Sequence, residues 1–376
     1  MKSLFIVSGE ISGDTHGSAL LSALADTGEW SVAGLGGPLM ASQSELIENW
    51  LDDAAVLGLW EVLKKYSYFR RKLDQTTGRI MSSNPDGVIL VDYPGFNLRL
   101  AKGLRDKGYR GKLIYYISPQ VWAWKRGRIK TMAKLLDLMI CIFPFEKALY
   151  EESGLPTIFA GHPLVDEMAK LREGGIERED GLVALLPGSR EREVEKLFPP
   201  MLGAAEILLK RNPDLRFATS GATPVLMERL REMVAERGLS EAVAVGEHTS
   251  HEIMQRAQVG VVASGTATLE AACLQLPYCL TYKVAWLTAQ VARRLMSVRF
   301  LGIVNVLAGS EVVSELLQGK ATPDGIAQEL SRLLDDAAVR ESLQRRLAEV
   351  VESLGSGGAH RNAADAVAGL WKDKQR

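Results

Sequence analysis

The chain has 376 residues, of which 47% are apolar and 24% charged, with a formal net charge of −1. Single cores rarely grow past about 250–300 residues, so this length predicts two domains. The near-neutral balance excludes a nucleic-acid protein relying on bulk positive charge, and no apolar run approaches the ~18 residues of a membrane-crossing helix. Cys141, Cys273 and Cys279 stand in apolar contexts without C-x-x-C spacing and read as buried, reduced thiols. The few apolar residues before Ser8 are too short a run for a secretory leader, so a cytoplasmic location is expected.

From the amino terminus, strand-like runs alternate with helical patterns. Leu4–Val7 opens the series and leads through SGEISGDTHG (8–17) into a helical pattern carrying Ala19, Leu20, Leu21 and Leu24. Val32–Leu35 is the next strand. Residues 57–73, LGLWEVLKKYSYFRRKL, read as an amphipathic helix: Leu59, Val62, Leu63, Tyr66, Phe69 and Leu73 share one face, with Lys64, Lys65, Arg71 and Lys72 opposite. Two destinations fit it, packing on a sheet or lying in a membrane interface. Strands follow at Gly87–Val91, Leu113–Ile117, Leu138–Phe143 and Thr157–Phe159. The charged stretch 160–180, with Gly161, Pro163, Gly174 and Gly175, predicts a hinge and linker. A second series comprises Leu182–Leu186, Arg216–Thr219, Ala242–Val245, Val259–Val262 and Tyr278–Tyr282; beyond Pro323 the pattern is helical, broken at 355–358.

The strand runs are continuous in Val, Ile and Leu rather than alternating, as strands covered on both faces require. The intervening segments are long enough for crossover helices. Each series therefore predicts a parallel α/β sheet, whose ligands sit beyond the carboxyl ends of the strands.

Gly9, Gly13 and Gly17 occupy the place of a phosphate loop, yet this loop carries Glu10 and Asp14 and no cation. Neither the dinucleotide fingerprint nor the G-x-x-x-x-G-K-[ST] loop occurs. The second half offers better anion sites. In LLPGSRERE (185–193), Ser189 and Arg190 open a helix after a strand; Arg190 fits either a diphosphate grip or a surface ion pair. In ASGTATLEAA (263–272), Ser264, Gly265 and Thr266 set hydroxyls and free backbone N–H groups at a helix start. Glu270, a turn further on, suits ribose hydroxyls, or is simply solvated.

Together SGEISGDTHG, VDYPGFN (91–97), SPQVWAWKRGRI (118–129), AGHPLVDE (160–167), LLPGSR (185–190) and SGTATLEAA (264–272) resemble the lipid-A-disaccharide synthase family, in family order over nearly the whole chain. The resemblance implies a GT-B fold, two Rossmann-like parallel-sheet domains, and an inverting hexosyltransferase. The reaction implied joins UDP-2,3-diacylglucosamine to 2,3-diacylglucosamine 1-phosphate (lipid X), giving a β-1,6 disaccharide and UDP. An acceptor-binding domain over residues 1–162 and a UDP-sugar-binding domain over 163–354 are expected, with helices around 355–376 returning to the first. The implied partners are the two lipid substrates and the cytoplasmic surface of the inner membrane, where the protein would be peripheral; a homodimer is compatible, and nucleic acid is not a partner.

Inverting transfer needs a base for the acceptor hydroxyl and stabilisation of the leaving diphosphate. Asp92, at the carboxyl end of Gly87–Val91, is an ordinary turn-former by position; the resemblance makes it the leading base, with His16 as rival. Glu10 is expected to contact hydroxyls, and Asp14 to cap the next helix. The resemblance also gives Asn305 to the donor sugar or diphosphate. Trp122 and Trp124, with Lys125, Arg126 and Arg128, line an acceptor route or form a buried aromatic beside a solvated helix start. His162 reads as structural, and His248 and His251 make no metal pair without further ligands. Arg293, Arg294 and Arg299 suit either lipid phosphate or solvent. No carboxylate pair for a donor-bound metal stands out, so metal independence is expected, without a cofactor. A GT-B-type UDP-N-acetylglucosamine 2-epimerase and a non-catalytic UDP-sugar-binding regulator are the competing functions.

Overall fold

Seven strands form the first sheet: β1 Lys2–Val7, β2 Trp30–Gly36, β3 Ile47–Asn49, β4 Gly87–Val91, β5 Lys112–Tyr116, β6 Leu138–Cys141 and β7 Thr157–Phe159. Their order is β3-β2-β1-β4-β5-β6-β7, every pair parallel. Six more form the second sheet: β8 Glu179–Leu186, β9 Arg216–Thr219, β10 Val243–Val245, β11 Ala257–Ala263, β12 Tyr278–Tyr282 and β13 Glu315–Leu317, ordered β10-β9-β8-β11-β12-β13 and again parallel. The structure, a computed structural model, describes residues 1–51, 66–124, 126–173, 175, 177–284 and 299–371, without the side chains of Tyr66, Ala123 and Trp124.

The continuous apolar runs are explained by where alternate residues go. Phe5, Val7, Val88 and Leu90 enter one buried cluster; Leu4, Ile6, Ile89 and Val91 enter another on the opposite face. A strand with period two and two covered faces needs apolar residues at every position. The sequence reading omitted β3 and β13. β3 is Ile-Glu-Asn with two exposed polar residues, and β13 is Glu-Leu-Leu with none of its residues fully buried, so neither forms an apolar run, unlike the equally short β7 and β10.

The chain divides into two compact units, residues 1–163 with 354–376, and residues 164–353. The helix Ala359–Gly369 completes the first unit, inserting Ala363, Ala364 and Val367 into the cluster beside Leu4 and Ile6. Asn362 Nδ2 donates to the Ala160 carbonyl at 2.9 Å. Part of the expected linker is ordered instead: Pro163, favoured at a helix start, begins the helix Pro163–Arg172.

The predicted amphipathic segment falls partly outside the described residues, including Leu59, Val62, Leu63, Lys64 and Lys65. Its described part lies in the helix Tyr66–Ser83. There Phe69 and Leu73 pack against the buried cluster, with the Phe69 ring edge-on to Trp50 at 6.5 Å, and Lys72 pairs with Glu48. These two apolar residues therefore belong to the core and not to a membrane face.

Asp14 is a cap. Its carboxylate accepts from the backbone N–H groups of Gly37 at 2.8 Å and of Leu39 and Met40 at 3.0 Å each, closing the start of the helix Pro38–Ala41. Buried amides left without an acceptor cost about 1–3 kcal/mol each. Asp14→Ala is expected to destabilise the first unit by about 3 kcal/mol, seen as a lower urea midpoint with an unchanged slope.

Candidate active site

In each sheet the strand order reverses once, beside β1 and beside β8. Helices leaving neighbouring strands toward opposite faces open a crevice there, beyond the carboxyl ends. Each unit has its candidate site at that place.

In the first unit the crevice lies between the turns after β1 and β4. Asp92 and Tyr93 both adopt left-handed backbone, with φ of 43° and 48°. For Tyr this is a strained conformation, costing on the order of 1–3 kcal/mol. Several contacts hold it. The Asp92 carbonyl accepts from Asn97 Nδ2 at 2.7 Å and from the Tyr115 hydroxyl at 2.6 Å, and the Asp92 N–H donates to the Tyr116 carbonyl at 2.9 Å. The Tyr93 ring lies so close to Gly9 that a Cβ there has no room. The stretch in the place of a phosphate loop is mostly helix, Ile11–Ala25, and its glycines admit packing: within that helix Gly13 abuts Ser8, and Gly17 abuts Met40.

This turn sets Asp92 beside Glu10. Burial first, and the Glu10 charge second, raise the Asp92 carboxyl to about 6, against a favourable bond from the Tyr93 amide. A carboxylate with that value is a usable base near neutrality. His16 is moved the other way. Burial, then His360 with its ring 5.6 Å away, lowers its imidazole to about 4, and its Nδ1 has no hydrogen-bond partner among the described residues. His16 is consequently a weaker base than Asp92. His162 is likewise lowered to about 4 by burial and by His16, and packs on Phe143 with rings 5.2 Å apart.

Trp122 does not line an open route. It is buried, its Nε1 donating to Glu146 Oε1 at 2.9 Å and its ring edge-on to Phe145 at 5.0 Å. Glu146, itself fully buried, also accepts from the Phe143 N–H at 3.2 Å, and the Tyr150 hydroxyl donates to the Pro119 carbonyl at 3.1 Å. The helix Pro144–Glu151 thus clamps the SPQVW segment. Neither Glu146 nor Tyr150 carries a sequence signal for that partner. Trp124 ends the helix Val121–Trp124, but its side chain, Lys125, Arg293 and Arg294 lie outside the described residues. Arg299 stacks its guanidinium on Phe300 at 5.1 Å.

In the second unit a cleft of about 310 Å³ gathers Ser189 and Arg190 from the turn after β8, and Ser264, Gly265, Thr266 and Glu270 from the turn after β11. That is the size of a small-ligand pocket. Gly265, with φ of 153°, makes the turn and leads into the helix Thr266–Cys273, whose Thr268 hydroxyl donates back to the Gly265 carbonyl at 2.7 Å. The helix Glu191–Arg211 begins on the other wall. Two helix starts of this length aim N–H groups and positive partial charge at one cleft. Arg190 stands at the mouth, 78% exposed, its Nη1 3.0 Å from Glu193 Oε1. An exposed pair of this kind contributes about 0–1 kcal/mol, so little restrains the guanidinium. Ser220, Gly221 and Ala222 after β9, and Ser250, also line the cleft. The sequence reading missed them, although Ser-Gly follows β9 just as it follows β11.

Asn305 is corrected by the structure. Its side chain is fully buried; Nδ2 donates to Val313 O and Glu315 Oε1, and Oδ1 accepts from the N–H groups of Val312 and Val313, all within 2.7–2.9 Å. Both donors and both acceptor positions of the amide are occupied. Asn305 braces the loop before β13 and presents nothing to a donor sugar. His248 pairs with Arg256, and His251 with Glu270.

Two doubly wound parallel units, each with a crevice at its own strand reversal, give the chain a GT-B fold. Solved structures share it. A putative UDP-N-acetylglucosamine 2-epimerase from Listeria monocytogenes matches with a TM-score of 0.63 at 12% identity, over 99% of this chain and 97% of that one. The UDP co-structure of S. aureus MnaA matches with a TM-score of 0.65 at 12% identity, over 98% and 96%. At that identity the likeness is one of fold. The sequence is more specific: the lipid-A-disaccharide synthetase family model matches residues 4–367, and a lipid-A-disaccharide synthase from Geobacter sulfurreducens is 40% identical over 97% of this chain and 96% of its own length. The chain belongs to the lipid-A-disaccharide synthetase family.

The Asp92 environment has a direct thermodynamic signature. A carboxyl raised from 3.8 to about 6 binds its proton more tightly in the folded state. Its stabilising contribution is complete below the unfolded value and lost as pH rises through the folded one. The urea midpoint of Asp92→Asn relative to the parent should therefore climb between pH 4 and 6 and stay level above. A difference independent of pH would remove the raised carboxyl.

Proposed function

We propose that this chain is an inverting glycosyltransferase that joins UDP-2,3-diacylglucosamine to 2,3-diacylglucosamine 1-phosphate, forming the β-1,6 disaccharide 1-phosphate and releasing UDP. Membership of the family over residues 4–367 carries the reading. The charges of the two crevices agree with it: carboxylates Glu10 and Asp92 in the first unit, hydroxyls, helix starts and Arg190 in the second.

In this reading Asp92 takes the proton of the acceptor hydroxyl as its oxygen attacks the anomeric carbon, and the bond from that carbon to the diphosphate breaks. Glu10 orients sugar hydroxyls and keeps Asp92 basic. Ser189, Ser264, Gly265 and Thr266 donate to the diphosphate, Arg190 neutralises the charge that grows as UDP leaves, and Glu270 accepts from the ribose. Substrates with two acyl chains are delivered from a bilayer, so we place the protein peripherally on the cytoplasmic face of the inner membrane. Among the described residues no helix is long and apolar enough to cross it.

Incubation with both lipid substrates should yield a tetra-acyl disaccharide monophosphate by mass spectrometry, with one UDP per product. Conversion of UDP-N-acetylglucosamine without any acceptor would instead favour epimerase chemistry. Arg190→Ala should lose on the order of 10²-fold in kcat/KM, since its charge acts mainly where the leaving group develops. Asp92→Asn should bind UDP normally and fail in transfer.

A further inference from the structure

His251 belongs to no phosphate-binding turn, yet its position is tightly set. It lies in the first turn of the helix Ser250–Arg256, which starts with a reciprocal capping box. The Thr249 hydroxyl accepts from the Glu252 N–H at 3.2 Å, and the Thr249 N–H donates to Glu252 Oε2 at 2.7 Å. From that anchored turn His251 Nε2 reaches Glu270 Oε2 at 3.2 Å, both side chains being largely shielded from solvent. Glu270 and the neighbouring Ser250 line the cleft of the second unit. A glutamate left to itself samples many rotamers, and ordering it when a ligand arrives weakens binding.

We propose that His251 is a positioning residue for nucleotide binding: through its Nε2 it holds the Glu270 carboxylate ready to accept the ribose hydroxyls of the UDP moiety. This rests on the reading that Glu270 meets the ribose. The bond to Glu270, then the charges of Glu270 and of Glu167 on the helix Pro163–Arg172, raise His251 above its ordinary value, while burial opposes them. Glu252 stands in the same turn, and Cys273 feels the charges of Glu270 and Arg172. The pair is therefore an imidazolium–carboxylate bond at low pH, stronger than its neutral counterpart. It weakens as pH rises through the folded value of His251, and UDP affinity should weaken with it.

Calorimetric titration with UDP, and with 2′,3′-dideoxy-UDP, tests this on the full chain. His251→Ala should weaken UDP about tenfold at pH 6 and leave the dideoxy analogue unchanged. His251→Gln, which keeps a donor but does not titrate, should restore most of the affinity and flatten the fall seen in the parent between pH 6 and 8.5. If Glu270→Ala weakens UDP and His251→Ala does not, the positioning role is overturned while the ribose contact stands. If Glu270→Ala binds UDP like the parent, the ribose reading itself is wrong. Equal weakening of both nucleotides by His251→Ala would show a general disturbance of the cleft and also overturn the proposal. In steady state the expected split is a raised donor KM with kcat preserved, which loss of fold would not give.

Discussion

A parallel sheet can be extended from its first strand in two directions, and a chain that uses both must leave a gap where the directions diverge. Here that happens beside β1 and beside β8, and the candidate chemistry of each unit follows from it. Side chains cannot fill the gap, because the flanking helices diverge toward opposite faces. What borders it is turn backbone. The turns after β1 and β4 supply Glu10 and Asp92; those after β8 and β11 supply Ser189, Arg190 and the helix start at Thr266. The same topology thus yields an acidic crevice once, and once a cleft bordered by hydroxyls, helix starts and Arg190.

The strained turn at Asp92 and Tyr93 shows how the scaffold tolerates such a site. Left-handed backbone at a tyrosine persists only where surroundings leave no alternative. Trp50 and Phe96 pack on the ring, Asn97 and Tyr115 hold the preceding carbonyl, and Gly9 yields the space the ring occupies. The helix that begins at Pro94 adds a residue whose fixed φ suits a helix start. The result is a carboxyl held out of water beside a second carboxylate, which is why its basicity is high for an aspartate.

How much of this was legible in the sequence depended on how local the physics was. Strands buried on both faces announce themselves as unbroken apolar runs, so β1, β4 and β11 were plain, while β3, two-thirds polar, and β13, only half-buried, were not. The strand-to-helix turns at Ser189 and Ser264 were readable because strand, glycine and helix start are adjacent in the chain. Asp14 was legible as a cap only in kind: its sequence position pointed to the next helix, whereas the helix it closes begins 24 residues on. Long-range pairs were illegible. Nothing near Trp122 names Glu146 as its partner, nothing near Asn305 says that its amide is fully engaged by Val312, Val313 and Glu315, and His251 gave no hint of Glu270. Family resemblance conveyed which residues recur in such proteins, but not which of them face a ligand and which brace a loop.

The helix Ala359–Gly369 belongs to the first unit although the whole second unit precedes it in the chain. During synthesis, then, the first sheet emerges from the ribosome well before the residues that cover part of one of its faces. Ile6, Leu20 and Ile89 remain without Ala363 and Val367 until translation has passed the second unit. The unit translated in the middle is complete at residue 353, before that helix is made, although its strands follow all seven of the first sheet. A polypeptide interrupted before this helix therefore holds the whole second unit, while the first has all its strands but lacks the cover of Ala363, Ala364 and Val367.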